Sequence, residues 1–352
     1  MKYTTITTLA ALLLGTAGAF AQSAYTKPSG FVTTTIHGAT DNGAAPATPK
    51  FSVLTVSLRS ADQAAGAIVS FGGHLAATSD LPSRQVLTMS DVSWKANQWS
   101  DAPHLVYLEK DDGSDDGAEQ SLLVLSNTAD TLTVATDYNL SGRFAADDLI
   151  KLVVAPTLGT VFGADGGGLK TDANPNTADN LYIWDANDWT KYYHNGTNWS
   201  RQSPYLANAN NVIIFPDEGV FILRKEVGDV DLVLTGLAPV KNQISDVPSG
   251  FSFVSSRYSV DTKLKDMGFQ SLAGWVSNEN PYAADNLYSW DAAEQKWVKF
   301  YHNGSHWVRF SPYLGNADDV VISSGTPVFV SRLNGGVSDS ANTHTLPYHP
   351  EN

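Results

Sequence analysis

Apolar positions in this chain fall in short runs separated by polar turns, and between Ala178 and Ile214 they read as a β-meander. Leu181 to Trp184 is one run, Asp185 to Asp188 has turn chemistry, and Trp189 to His194 is a second run. Asn195-Gly196 follows, a strong hairpin signal, because a two-residue type I′ turn needs positive φ at both central positions. The pattern is written twice. ADNLYIWDANDWTKYYHNGTNWSRQSPYLANANNVII at 178–214 is matched by ADNLYSWDAAEQKWVKFYHNGSHWVRFSPYLGNADDVVI at 284–322. The offset is 106 residues at Trp184 and Trp290 and 108 at His194 and His302, so the second copy has two extra residues after Asp291. Such self-similarity marks two copies of one structural unit.

A two-residue turn sets a definite register. It predicts His194 opposite Thr197, Tyr192 opposite Trp199 and Thr190 opposite Arg201. In the second copy it predicts His302 opposite Ser305, Phe300 opposite Trp307 and Val298 opposite Arg309. Both copies then place an aromatic beside a tryptophan on one face, which is the expected core. In the preceding strand Tyr182 and Trp184 recur as Tyr288 and Trp290, whereas Ile183 becomes Ser289. The Tyr/Trp side is therefore expected inside and Ile183 on a partly wet face. Farther on, Val212 to Phe215 is expected to pair with Val220 to Leu223, and Val320 to Ile322 with Val328 to Ser331. Asp231 to Leu234 offers another strand.

The rest of the chain is also strand-rich. Phe51 to Leu58, Leu122 to Leu125 and Thr131 to Ala135 read as strands, and Ala61 to Ile68 as a short helix. The predicted fold is all-β: an N-terminal β domain plus two tandem β-meander modules, sandwich-like or partly barrel-like. The predicted ranges are a signal peptide at 1–21, the N-terminal domain at 22–145, repeat module A at 146–244, module B at 245–335 and a flexible tail at 336–352. KNQISDVPSG at 241–250 reads as a linker.

The leader has Lys2, an apolar stretch from Ile6 to Phe20, and Ala19-Phe20-Ala21, so cleavage is expected between Ala21 and Gln22. Nothing beyond it is apolar enough to span a bilayer, so no transmembrane segment is expected in the mature chain. The remainder, about 330 residues, suits two or three domains. Hydrophobic residues make up 42% and charged residues only 16%, a balance that favours a packed, sheet-rich chain. There is no cysteine, which excludes disulfides, thiol catalysis and thiolate metal sites. A net charge of −14 argues against nucleic acid and anionic membrane surfaces as partners.

Few patterns carry chemistry. Asp185 and Asp291 recur at strand ends, but strand-end turns explain them without a glycosidase carboxylate pair. Pairing of Asp185 with Arg201, and of Asp291 with Arg309, is a further structural expectation. His194 and His302 recur beside the turn, without a nucleophile elbow, an HExxH or zinc-like spacing. Gly166 to Gly168 lacks the Lys-Ser/Thr of a phosphate loop and reads as a turn. Asp111, Asp112, Asp115 and Asp116 form the one candidate calcium loop, off the EF-hand spacing; otherwise no cofactor is expected. Trp189 and Tyr193, with Trp297 and Tyr301, lie on the face opposite the expected core. They form a candidate sugar-stacking platform, unless that face packs against a neighbouring module.

The repeated ADNLY-x-W, the Asn-Gly hairpin followed by Trp, APTLGTVFG (155–163) and RYSVDTKLKDMGF (257–269) resemble a family of uncharacterised secreted repeat-containing proteins met mainly in verrucomicrobial bacteria. The resemblance covers most of the mature chain. It implies an exported bacterial protein of unassigned function and supplies no catalytic residues. A C-terminal sorting segment is expected in many relatives, whereas this chain ends in THTLPYHPEN. The expected role is a non-catalytic structural or interaction protein, secreted or in the cell envelope, whose partner is a protein or polysaccharide of the envelope or matrix. Carbohydrate binding through the aromatic platform is the first alternative, and an exported hydrolase the second.

Overall fold

The computed structural model describes residues 29–110, 117–185, 188–333 and 341–347. The expected signal peptide and Asp111, Asp112, Asp115 and Asp116 lie outside them. Among the described residues the chain is all-β, with helical turns only at Leu158–Val161, Leu140–Gly142, Leu264–Met267 and Phe269–Ser271.

Each repeat forms a five-stranded antiparallel sheet with the same spatial order. In the first this order is Trp199–Arg201, Asp188–His194, Asn180–Asp185, Val220–Arg224 and Lys50–Leu54. In the second it is Trp307–Arg309, Lys296–His302, Asn286–Asp291, Val328–Arg332 and Gly250–Val254. The fifth strands correspond: Phe51-Ser52 and Phe251-Ser252 occupy matching places, Phe51 opposite Leu223 and Phe251 opposite Ser331. The first sheet thus takes an edge strand from ahead of residue 146, and strand pairing crosses the range drawn for module A.

What separates that edge strand from the rest of its repeat is a closed barrel. Strands Asp62–Phe71, Arg84–Ser90, His104–Glu109, Ala118–Asn127, Thr131–Ala135 and Leu149–Val154 pair in a ring, closed by Ala118–Asn127 against Thr131–Ala135. The barrel is therefore inserted in the first repeat, which resumes where Leu158 N donates to Val212 O (2.9 Å), as Leu264 N does to Val320 O (2.8 Å). Ala61 to Ile68 is strand, not helix. Its Ala- and Gly-rich stretch is clamped between Arg84–Ser90 and Leu149–Val154, and tertiary pairing overrides helix propensity. The barrel core comes from alternate positions such as Leu87 and Met89, Leu132 and Val134, Ile150 and Leu152.

Two segments join the barrel from outside. Asn242–Asp246 lies parallel to Ala118–Asn127, and Ala341–His344 pairs antiparallel with Asn242–Asp246. The expected linker at 241–250 is thus largely strand. Residues 341–344, expected as flexible tail, are a strand with Asn342 and His344 buried. Ser29–Ile36 and Val230–Leu237 form a separate antiparallel ribbon.

The hairpin register differs from expectation by two residues: His194 faces Trp199 and Tyr192 faces Arg201, and the second copy pairs His302 with Trp307 and Phe300 with Arg309. The cause is the Asn side chain. Asn195 Oδ1 accepts hydrogen bonds from Thr197 N and Asn198 N, both at 2.9 Å, while Asn195 N donates to Asn198 O at 3.0 Å. A four-residue loop results, and Asn303 repeats it with Ser305 N and His306 N. A shift of two preserves the faces, so Tyr192 and Trp199 still share one core, and Phe300 and Trp307 the other.

The preceding strand is reversed from expectation. Leu181 and Ile183 enter the core with Val220 and Ile222, while Tyr182 and Trp184 face away. The Tyr/Trp face is covered by the other repeat; Ile183 is buried on the core face, while its counterpart Ser289 is half-buried and lines an open pocket, so that face is partly wet in the second copy only. Val212 to Phe215 does not pair with Val220 to Leu223; Ile213 bridges to Thr157, and Val321–Ile322 pairs with Thr262–Lys263.

Candidate functional site

The two repeat sheets meet through the faces opposite their cores. Trp184 Nε1 donates to Phe251 O at 3.1 Å, and Trp290 Nε1 donates to Phe51 O at 3.3 Å. These bonds are equivalent by the repeat, so the sheets pair like an isologous dimer within one chain. Between them the rings interlock. Phe221 stacks on Trp297 (centroids 5.6 Å apart, planes at 12°), and its counterpart Phe329 stacks on Trp189 (6.1 Å, 29°). Edge contacts surround these stacks, including Trp184 on Trp189 at 5.0 Å and Trp290 on Trp297 at 5.2 Å. Offset and edge-to-face pairs of this kind add to plain area burial.

The junction leaves an open groove of about 410 Å³ lined by Trp184, Trp189, Phe251, Tyr288, Trp297 and Phe329. No charged side chain is in the lining. The two-residue insertion makes the junction unequal. Gln295, in the longer loop, accepts from Phe51 N (2.7 Å) and donates to Phe51 O (3.0 Å). At the groove's rim Lys299 Nζ sits 5.2 to 5.9 Å from the ring centres of Tyr282, Phe310 and Tyr288. Its pKa is lowered by burial.

Of the four platform residues, Trp189 and Trp297 converge on this groove, half-buried in the inter-repeat cluster. Tyr193 and Tyr301 lie elsewhere; both are buried, Tyr301 against Ala284 and Val308. A flat platform of four exposed rings is not what these residues form.

The other recurring residues hold loops. Asp291 Oδ1 accepts from Ala293 N and Glu294 N, each at 3.0 Å. Arg201 and Arg309 do not pair with the strand-end acids; each Nε donates at 2.8 Å to a loop carbonyl, Pro204 O and Pro312 O. His194 Nδ1 accepts from Gly196 N, and His302 Nδ1 from Gly304 N, both at 3.3 Å. Burial lowers the pKa of His302. Gly166, Gly167 and Gly168 form a turn with positive φ.

A pair not singled out from the sequence is the acid of the ADN triplet with an arginine. Asp179 Oδ2 accepts from Lys170 N (2.8 Å) and Arg224 Nη1 (3.0 Å), and Oδ1 from Lys225 N (2.7 Å). Asp285 repeats this with Val276 N, Leu333 N and, at 3.9 Å, Arg332 Nε. The readable signal was there: Asp, Asn and a later strand-end Arg recur in both copies.

Among the described residues no group of three or more His, Cys, Asp or Glu is arranged to hold a metal, and no helix is long and apolar enough to cross a membrane. Comparison with protein-family models, curated proteins and solved structures finds no match.

Proposed function

We propose that the chain is an exported, non-catalytic interaction protein of the bacterial envelope or extracellular space, with the inter-repeat groove as its contact surface. One observation carries this reading: three tryptophans, drawn from both copies, converge with three more rings on a single open groove. Trp184 has its indole N–H committed to a backbone carbonyl, so that ring offers the groove its π-face alone. Such a surface selects for shape and apolar contact, and it lacks the paired acids or activated nucleophile that hydrolysis requires.

The same geometry favours a carbohydrate as the partner's contacting group. A pyranose presents an apolar C–H face that fits a ring-lined groove, while its hydroxyls stay in water at the open side. Binding on a glycan array, quantified by tryptophan fluorescence, tests both levels. Phe251 is 48% exposed, so Phe251→Ala leaves the repeat cores intact; it is expected to weaken binding roughly tenfold, and Trp189→Ala with Trp297→Ala to weaken it further. Undiminished binding by folded variants would remove the groove from consideration. Binding to a purified envelope protein but to no glycan would retain the interaction role and reject the sugar.

A further inference from the structure

A second pocket, of about 420 Å³, opens between the Ser29–Ile36 strand and the core face of the second repeat's sheet. It shares no lining residue with the aromatic groove. Comparison of the two copies shows what sets it apart. Where the first copy has Ile183, in its core cluster with Val220 and Ile222, the second has Ser289, half-buried on the pocket wall. Where the first has Tyr192 opposite Arg201, the second has Phe300 opposite Arg309. The two exchanges fall in one place, because Ser289, Phe300 and Arg309 all line the pocket.

These exchanges change what the arginine can do. In the first copy burial raises the pKa of the Tyr192 hydroxyl, and the Arg201 guanidinium, bonded to it, acts in the other direction. Phe300 has no hydroxyl to offer. Among the described residues Arg309 pairs with no carboxylate, and its one side-chain bond runs from Nε to Pro312 O at 2.8 Å. Nη1 and Nη2 are left for a ligand, and two donors on one planar guanidinium match the two oxygens of a carboxylate. Ser289 and Thr34 bring hydroxyls without a protein partner among the described residues, while Val298 and Phe300 bring apolar surface. Two other ionisable groups line the pocket. Asp291 Oδ1 is held by Ala293 N and Glu294 N, so its second oxygen is the one open to a ligand hydroxyl. His37 Nδ1 lies 3.7 Å from Asp229 Oδ2.

We propose that this pocket binds a hydroxylated carboxylate of the sugar-acid type. The carboxylate pairs with Arg309 Nη1 and Nη2, ligand hydroxyls bond to Ser289 Oγ and Asp291 Oδ2, and the C–H face lies on Val298 and Phe300. The first repeat does not offer this site, because Ile183 takes the space and Tyr192 engages the arginine.

Isothermal titration of the full chain at pH 7 and constant ionic strength, with glucuronate, its methyl ester and glucose, tests this. Glucuronate is expected to bind with a Kd of about 1 mM. The methyl ester and glucose, which lack the charge, are expected to bind at least roughly tenfold more weakly. Arg309→Gln is expected to cost roughly tenfold in glucuronate affinity. Ser289→Ile, which restores the first copy's residue and fills the pocket, should cost at least as much. Arg201→Gln makes the matching change in the first repeat and should leave the affinity within about twofold of wild type. Thermal melts confirm folding, and should Arg309→Gln unfold, Ser289→Ile alone decides. Full affinity in folded Arg309→Gln or Ser289→Ile, an equal loss in Arg201→Gln, equal binding of glucuronate and glucose, or no heat with glucuronate at about fifty times the expected Kd would overturn the proposal.

Discussion

Asp179→Ala is expected to lower the free energy of unfolding by about 3–5 kcal/mol, read as a shift of the denaturant midpoint at pH 7. Its carboxylate is almost fully buried and takes three hydrogen bonds, from Lys170 N, Lys225 N and Arg224 Nη1. Arg224 is itself buried; it also donates to Gly228 O and Gly168 O, and the exposed Glu226 carboxylate lies 3.9 Å from its Nη2. Removing the acid leaves a guanidinium in the interior with only the exposed Glu226, 3.9 Å away, as counter-charge, along with two backbone donors lacking acceptors. Asp179→Asn, which keeps the shape and one acceptor oxygen, should lose less. Asp285→Ala should also lose less than Asp179→Ala, because Arg332 is 3.9 Å from its acid and bonds instead to Val247 O and Ala273 O. A loss below about 1 kcal/mol for Asp179→Ala, the scale of an exposed pair, would show that this acid does not secure the turn between its strand and the Val220–Arg224 strand.

The Asp179–Arg224 pair shows why some of this molecule was legible in sequence and some was not. Local pattern was enough for the all-β class and for the strands of each hairpin, because alternation and turn residues are read within a few positions. The register was not, since Asn195 and Asn303 bond their own loop backbone and turn a two-residue connection into a four-residue one. Side-chain capping of this kind leaves no trace in hydrophobic periodicity. A strand was expected from Phe51, but the place of Lys50–Leu54 at the edge of the first repeat's sheet was missed for a different reason. Its partner Val220–Arg224 is separated from it by the whole barrel, and the short echo of Phe51-Ser52 in Phe251-Ser252 is the only local clue to their common role.

The candidate groove illustrates the same boundary between local and long-range information. Alternation alone assigns Trp189 and Trp297 to the face opposite Tyr192 and Phe300, and the structure agrees on that side. What occupies the far side depends on how two complete sheets dock, and thus on Phe221, Phe253 and Phe329, which lie on other strands. Tyr193 and Tyr301 share the alternation but sit where the sheet is already covered. The duplication therefore does more than double a surface: each copy provides the lid for the other, and the groove lies at their junction.

Lowering the pH from 6.5 to 4 is expected to remove about 3 kcal/mol of stability through His344 alone. Its imidazole is fully buried in the Ala341–His344 strand, between Met267 O on one ring nitrogen and Ser245 Oγ on the other, each at 3.1 Å. Burial, with the nearby Arg257 charge acting in the same direction, depresses its pKa from 6.5 to about 4, and the Met267 carbonyl only partly offsets this. Above pH 6.5 the ring is neutral in both states and contributes no slope. Between 6.5 and 4 the unfolded chain takes up a proton that the folded chain refuses, so stability falls by about 1.4 kcal/mol per pH unit. Below 4 both states are protonated and the slope ends. Glu119 and Glu218 have raised pKa values, and acids of that kind gain folded-state stability as pH falls, so the wild-type curve alone mixes opposite signs. The measurement is therefore the difference between wild type and His344→Gln in denaturant melts at half-unit steps from pH 7.5 to 4.5. That difference should narrow steadily below pH 6.5, and a gap that stays constant across the range would mean that His344 is protonated as readily in the folded chain as in the unfolded one.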